Sequence, residues 1–437
     1  MEATTQPQRP TSIRFAVLAA ACVLAVITYL HRVGFATASA EFRVPLELDQ
    51  GQLGDLMAAF MIAYGIFEVP WGLFGDRYGV RLSLGLVALG GSAATAAVAL
   101  VGGFPPGSAW IMVFLVSARF LFGAFQAGTF PSISRMTADW LPTTERGSAQ
   151  GMIWTSSRLG GAAAPLILVP LFHAVGEWRT PLVGVAALGV LWSVAFRSWY
   201  RDRPEEMKRV NTEELQLIEA GRSGRARSSH SNLPWKRMAR SRSVWALCLM
   251  YGSLGYSGNF FLTLLPDYLK SYRSLDGDTA KWLSSLPFAC GVVACLLGGW
   301  ASDRIIARMG NRRWGRRIMG SLGTSLAALC IVATLGVDEP ILLGFLLCGT
   351  MFGNDLSMAP SWAAAADIGE EHTGTLSGLM NMTASFSGAL AAMVTGRLFK
   401  AGYLELPFLL FAASYAVGTL CWMGVDARSN LHEQTKE

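Results

Sequence analysis

Twelve apolar runs, each about 20 residues long and so able to cross a hydrocarbon core as a helix, leave this chain few folds to adopt. They lie at about 14–38, 53–75, 82–102, 108–137, 147–172 and 180–200, then at about 243–269, 281–302, 316–336, 340–363, 374–399 and 405–425. A hydrophilic stretch, 201–242, separates the two sets of six. Inside lipid every backbone amide needs an internal partner, so runs of this kind are read as helices. The expected fold class is an all-α membrane protein: twelve transmembrane helices in two pseudo-symmetric six-helix halves. The halves are expected at 14–200 and 243–425, with cytoplasmic tails at 1–13 and 426–437 and the linker at 201–242. Charged residues make up 15% of the chain, against about a quarter in soluble domains.

The two-fold plan has a local signature. Gly72-Leu-Phe-Gly-Asp76-Arg77-Tyr-Gly79-Val-Arg81 sits between two apolar runs, and a weaker echo, Gly299-Trp-Ala-Ser-Asp303-Arg304, recurs 227 positions later. Each copy marks a short polar loop between two membrane helices. The net charge of +6 does not read as a nucleic-acid footprint, because the cations cluster. Residues 197–242 carry twelve Lys and Arg and 304–317 carry six, whereas 102–109 and 337–339 carry none and 173–180 one. Positive loops face the cytoplasm, which sets both termini and the linker there. Within the linker Thr212–Glu219 is expected to form a short surface helix, and the Gly-Arg-Ser run after it to be flexible. Ala36-Thr-Ala38-Ser-Ala40 resembles a signal-peptidase site, but the run before it is long and His31-Arg32 interrupts it, so no cleavage is expected. The seven cysteines all fall in apolar runs without a CxxC pair, which suggests neither disulfides nor a zinc site.

Glycine-rich stretches (Gly160-Gly161-Ala162; Gly374, Gly378) allow close helix packing. Prolines inside spans (Pro131, Pro165, Pro170, Pro287, Pro360) permit kinks. Both features suit a moving bundle and a tightly packed one alike.

Ionisable side chains deep in a span are costly and usually face a cavity or a partner. His31, Arg32, Glu68, Arg119 and Arg158 are the candidates in the first half, and Asp355 in the second. Cations outnumber acids, so an anionic ligand is expected to supply the missing charge. A guanidinium grips a carboxylate or phosphate bidentately, which makes Arg32, Arg119 and Arg158 the candidate anion holders. The alternative is that each pairs with an acid or with helix-end carbonyls. Tyr29 lies one turn from Arg32, and Gln126 lies on the face of Arg119. Tyr251, Tyr256, Asn259 and Asn381 suit hydroxyls or a carboxylate, and equally suit helix contacts. His31 and Asp355 are proton-coupling candidates; a histidine bonded to a backbone carbonyl, or an aspartate in a fixed salt bridge, is the competing reading. Glu68, one turn before Pro70, is expected to pack against the Asp76 loop. No G-x-S-x-G, H-E-x-x-H or GxxxxGK[ST] motif is present, so neither an enzyme nor an ATP-driven pump is suggested.

Gly72–Arg81 resembles the loop signature of the major facilitator superfamily. Arg119-Phe-Leu-Phe-Gly123-Ala-Phe-Gln126-Ala-Gly-Thr-Phe-Pro131, Trp140-Leu-Pro142-Thr-Thr-Glu145-Arg146-Gly147, Trp199-Tyr-Arg-Asp202-Arg-Pro204 and Met380-Asn381-Met382 are similar to its anion:cation symporter family, over roughly residues 14–425. The resemblance implies proton-coupled movement of a small organic anion (a sugar acid or other carboxylate) by alternating access. It implies no cofactor, and a monomer in the bacterial cytoplasmic membrane. It makes Gly72, Asp76, Arg77, Gly79, Arg81, Asp303 and Arg304 a gating loop pair. The galactonate-type members carry Asp-Arg in the first helix and Glu in the fourth, where this chain has His31-Arg32 and Gln126. The coupling chemistry therefore does not carry over residue by residue. A uniporter, an exchanger of organic phosphates or anions, and a transport-dead membrane sensor are the alternatives.

Overall fold

The computed structural model describes residues 9–219, 235–273 and 275–428. The Gly-Arg-Ser run after Glu219, with Arg222, Arg225 and Arg227, lies outside the described residues, as do most of the two expected tails. Among the described residues the regular structure is helical, with no strand.

In the first half the elements are α1 (Ile13–Phe42), α2 (Gln50–Tyr78), α3 (Val80–Ala99), α4 (Ala109–Gln126), α5 (Thr129–Trp140), α6 (Arg146–Val175) and α7 (Arg179–Trp199). The linker contributes α8 (Thr212–Glu219) and α9 (Trp235–Arg240). The second half has α10 (Arg242–Thr263), the short α11 (Leu265–Asp267), α12 (Gly277–Met309), α13 (Arg312–Ala333), α14 (Pro340–Gly369), α15 (Thr373–Lys400) and α16 (Leu406–Gly424). Ten stretches are long and apolar enough to cross a membrane, and one of them, Pro340–Lys400, holds both α14 and α15. The remaining span is α10, whose apolarity is diluted by Tyr251, Ser253, Tyr256, Ser257 and Asn259. Twelve spans are thus present among the described residues, as the hydropathy pattern predicts, with α4 and α5 forming one interrupted span.

Local chemistry sets the ends and breaks. Asp49 and Gln52 form a reciprocal capping box at the start of α2, which satisfies two amides that the helix leaves free. Glu339 accepts from Ile341 and Leu342 N–H at the start of α14, with Pro340 in the first turn. The break between α4 and α5 follows from Pro131, which has no N–H to offer the carbonyl four residues back. Trp71 Nε1 donates to Ala124 O at 2.6 Å beside that break, so a backbone acceptor there is not left bare. The linker helix α8 appears where the sequence places it, and it is docked. Glu214 is buried and accepts from the Ile13 and Arg14 amides at 3.2 and 3.1 Å, capping the positive end of α1.

The packing repeats across the halves. In the first half α1 packs on α6, α2 on α4 and α3 on α7; in the second, the corresponding pairs are α10 with α15, α12 with α14 and α13 with α16. The halves meet through α2 against α15 and α6 against α12, again a related pair. Both seams need glycine. A Cβ on Gly72 would lie 2.3 Å from Gly374 O, and one on Gly299 would lie 2.2 Å from Gly147 O.

Candidate functional site

Three arginines enter the bundle at mid-depth, and their surroundings differ. Arg158 on α6 reaches Asp355 on α14 at 2.6 Å, an ion pair between the halves. Asp355 is fully buried and also accepts from Asn354 Nδ2 at 3.2 Å. For Arg158 and Asp355, then, the salt-bridge reading applies in this conformation.

Arg32 and Arg119 form no salt bridge among the described residues. Arg32 stands in an aromatic cage, its Cζ 4.4 Å from the Tyr64 ring centre, 5.3 Å from Tyr29 and 5.5 Å from Phe60. Arg119, only 3% exposed, lies over Phe35 at 4.1 Å and Phe60 at 4.8 Å. Aromatic faces offset part of the cost of holding a cation away from water, yet they accept no hydrogen bond. Nε and Nη2 of Arg32 and Nε of Arg119 are buried without a partner. Both guanidinium groups lie against Phe60, and Tyr29 connects Arg32 to the α6 segment carrying Arg158, since a Cβ on Gly161 would sit 3.2 Å from the Tyr29 ring. The sequence-predicted anion holders are therefore brought together around Tyr29 and Phe60.

Glu68 is fully buried two turns from Asp76. It accepts from Asn381 Nδ2 at a short distance and from Ser385 Oγ at 3.4 Å, both on α15. The expected packing of Glu68 on the Asp76 loop is replaced by this contact, because its face of α2 lies on the seam with α15. Asn381 also donates to Tyr64 Oη at 3.2 Å, tying this contact to the Arg32 cage. Tyr251 Oη accepts from Trp362 Nε1 at 2.7 Å. Trp362 lies beside Trp154 and Phe130, and those two stack at 4.4 Å. An aromatic layer thus joins the halves beside the arginines. Tyr256 packs edge-on against Phe411, and Asn259 donates to Gly388 O at 2.8 Å, so both are engaged within the second half. Gln126 is buried with Oε1 unpartnered and its Nε2 beside Gly91. His31 Nε2 lies 3.0 Å from Val185 O, while Nδ1 has no partner.

The end of the bundle that carries most basic loops holds a second polar cluster. Asp76 on α2 accepts from Gly374 N–H at 2.9 Å and from Thr375 N–H and Oγ1 at 2.7 and 2.6 Å, at the start of α15. Asp303 on α12 accepts from Gly147 N–H at 3.1 Å and from Ser148 N–H and Oγ at 2.6 and 2.8 Å, at the start of α6. Neither aspartate lies in the loop expected from sequence: α2 runs to Tyr78 with only Gly79 before α3, and Gly299–Arg304 lies inside α12. Each therefore caps, from a helix, the opening turn of a helix in the opposite half, where the helix dipole favours a carboxylate. Arg135 lies 3.5 Å from Asp76 and 3.0 Å from Asp139. Arg316 bridges Asp303 and Asp367 at 2.8 and 3.1 Å, and Arg146 meets Asp367 at 2.8 Å. Arg77, Arg81 and Arg304 stay out of this cross-half network. Arg77 and Arg304 are exposed, and Arg81 donates to Arg197 O at 2.7 Å within its own half. Gly79 has φ +90°, and a Cβ there would meet Asp202 at 2.5 Å. Arg146 entered the sequence reading only within the Trp140–Gly147 motif, and Arg135, Arg316 and Asp367 were not singled out, because charges at helix ends read only as orientation markers; the Arg135-x-x-x-Asp139 spacing was the available signal.

Twelve membrane helices in two related halves, with unpaired cations at mid-depth and a polar clasp at one end, have the build of a polytopic transport protein. The sequence matches the family profile described as Major Facilitator Superfamily over residues 17–392. It is 30% identical to a probable sulfoacetate transporter of Cupriavidus necator, over 94% of each chain. It is 26% identical to a D-galactonate transporter of Escherichia coli, over 97% of this chain and 98% of that one, and 25% identical to a hexuronate transporter of Bacillus subtilis, over 90% and 91%. Among solved structures it matches the proton:xylose symporter XylE bound to 6-bromo-6-deoxy-D-glucose with a TM-score of 0.74 and 14% identity, over 97% of this chain and 99% of that one; this likeness concerns the fold. The chain belongs to the major facilitator superfamily, and its matches lie with that family's organic-anion transporters. The family and these relatives are transporters, not enzymes.

Proposed function

We propose that this protein is a secondary transporter that carries a small organic anion across the bacterial cytoplasmic membrane by alternating access, coupled to protons. The observation that carries the reading is the pair Arg32 and Arg119: buried guanidinium nitrogens without hydrogen-bond partners among the described residues, well inside their helices and both against Phe60. A carboxylate, sulfonate or sugar-acid headgroup supplies both the charge and the acceptors those nitrogens lack. Arg158, released from Asp355 as the halves part, adds a third donor set from α6. Tyr29, Tyr64, Tyr251 and Asn381 shape the space around the anion. The relatives' substrates (sulfoacetate, galactonate, hexuronate) define the chemistry to be tested first.

The clasp built on Asp76 and Asp303 supports a gate at the basic end, which the positive-inside rule assigns to the cytoplasm. In this conformation that gate is shut. Opening it releases two aspartates from helix N-termini together, which suits a rigid-body rocking of the halves. The test is uptake by protein reconstituted in liposomes under an inward proton gradient, using labelled sulfoacetate, D-galactonate and glucuronate, with and without a protonophore. Accumulation that collapses with the protonophore is the expected result. Uptake indifferent to the gradient but stimulated by internal anion overturns symport in favour of exchange, and no movement of any anion overturns the reading.

A further inference from the structure

Beside Arg119, inside the first half, lies a small cavity in which His31, Thr95 and Arg119 are set among apolar side chains. His31 on α1 forms one wall and is 2% exposed. Its Nε2 faces the Val185 carbonyl at 3.0 Å, and a carbonyl only accepts, so Nε2 carries the hydrogen and Nδ1 presents a bare lone pair. That Nδ1 has no partner. Nor do Thr28 Oγ1 on α1, Ser92 Oγ on α3, Gln126 Oε1 on α4 or Arg119 Nε. Gly189 on α7 lets both side chains pack on its backbone: a Cβ there would fall 2.1 Å from Ser92 Oγ and 3.0 Å from His31 Cε1. A cavity of about 10 Å³, the scale of a single water, is lined by both His31 and Arg119.

A buried basic nitrogen without a partner is costly, and beside a cavity of water size it calls for a mobile ligand. The two acids that compete for a coupling role are both engaged between the halves, Asp355 by Arg158 and Glu68 by Asn381 and Ser385. We infer that His31 is the proton-carrying residue of this transporter, taking its proton at Nδ1 through water in this cavity; this rests on the anion-transport reading above. The charged group lining the cavity with it is Arg119 of α4. α3 contributes the Thr95 side chain to the cavity, α7 the Val185 carbonyl to the imidazole, and Arg32 of α1 itself sits in its aromatic cage. A proton on His31 places a second cation across the cavity from Arg119, so it is opposed while the site is empty and favoured once an anion is bound. Linkage makes the effect mutual: the proton tightens anion binding by the factor by which the anion tightens proton binding. One charge then offsets the other, as symport requires. The proton comes from water on the open side and returns to water on the other, with no other bond made or broken.

The test is isothermal titration of the purified full-length protein with sulfoacetate and with D-galactonate between about pH 5 and pH 8. Wild-type affinity is expected to rise as pH falls, by at most about tenfold per unit, with about one proton taken up per anion bound in weakly buffered solution. His31→Gln is expected to bind with a flat pH profile and to lose gradient-driven accumulation. Gly189→Ala, whose methyl presses on the Ser92 hydroxyl and the edge of the imidazole while leaving His31 itself in place, is expected to flatten the profile too. Should His31→Gln not fold, the wild-type proton count and Gly189→Ala decide. His31→Gln retaining the wild-type pH slope overturns the inference, and so does wild-type binding that takes up no proton. Failure of the wild type to bind either anion at any pH overturns instead the transport reading on which it rests.

Discussion

A guanidinium is worth more to an anion than its charge, and the arginines here let the two contributions be separated. Arg32 offers unsatisfied nitrogens to the site from within an aromatic cage that holds its plane. Arg32→Gln removes a charged hydrogen-bond donor, worth about 1.5–3 kcal/mol, so anion affinity should fall roughly ten- to a hundredfold. Arg32→Lys keeps the charge but loses the planar fork, and calorimetry should place it between wild type and Gln. Arg158 presents the opposite case. Removing Asp355 leaves its partner uncompensated, and breaking a buried pair from one side costs about 3–5 kcal/mol. Asp355→Asn should therefore lower the melting temperature of detergent-solubilised protein markedly, and Arg158→Asp combined with Asp355→Arg should recover part of the loss. A neutral response to Asp355→Asn would show that the pair is not a lock between the halves.

At the scale of the helices, the seams depend on the absence of side chains. With Gly72 against Gly374 O and Gly299 against Gly147 O, a branched residue at either position cannot fit while the basic end is closed. Gly72→Val and Gly299→Val should each shift the protein toward the state open at that end, read as a longer distance between spin labels on the ends of α2 and α15. Unchanged distances would mean that the seam yields locally and does not govern the gate. The interrupted fourth span carries a smaller prediction. Trp71→Phe removes the donor to Ala124 O beside the Pro131 break and should cost about 1 kcal/mol, measured as a modest drop in thermal stability. The spans themselves were legible in the sequence because a bilayer demands long apolar helices whatever they pack against. Which face of a span meets which neighbour was not. Glu68 was read toward the Asp76 loop, eight residues along its own helix, when its partner Asn381 is 313 positions away. The partners of Asp76 and Asp303 were equally hidden, because backbone amides at the start of α15 and α6 leave no mark in composition.

For the whole molecule, the two-fold repeat gives both seams the same construction. The same helix pairs pack within each half, and the same kind of aspartate-to-helix-start contact closes each seam. The echo of Gly72–Arg81 at Gly299–Arg304 announced that symmetry from sequence, while the unequal chemistry laid over it became visible only in three dimensions. Arg32, Arg119 and the His31 pocket all belong to the first half, whereas the second supplies Asp355, Asn381, Tyr251 and Trp362. On the proposed reading the halves play different parts: the first supplies the anion-holding cations, and the second closes over them. The central claim, that unpaired arginines at mid-depth hold a transported anion, is tested most directly by counterflow. Liposomes containing the protein and excess unlabelled sulfoacetate would be diluted into labelled sulfoacetate with no ion gradient, so that coupling is not needed. Wild-type protein is predicted to concentrate label transiently, while Arg119→Gln, folded and inserted to the same extent, is predicted to stay at the level of empty liposomes. Wild-type counterflow by Arg119→Gln would contradict the account.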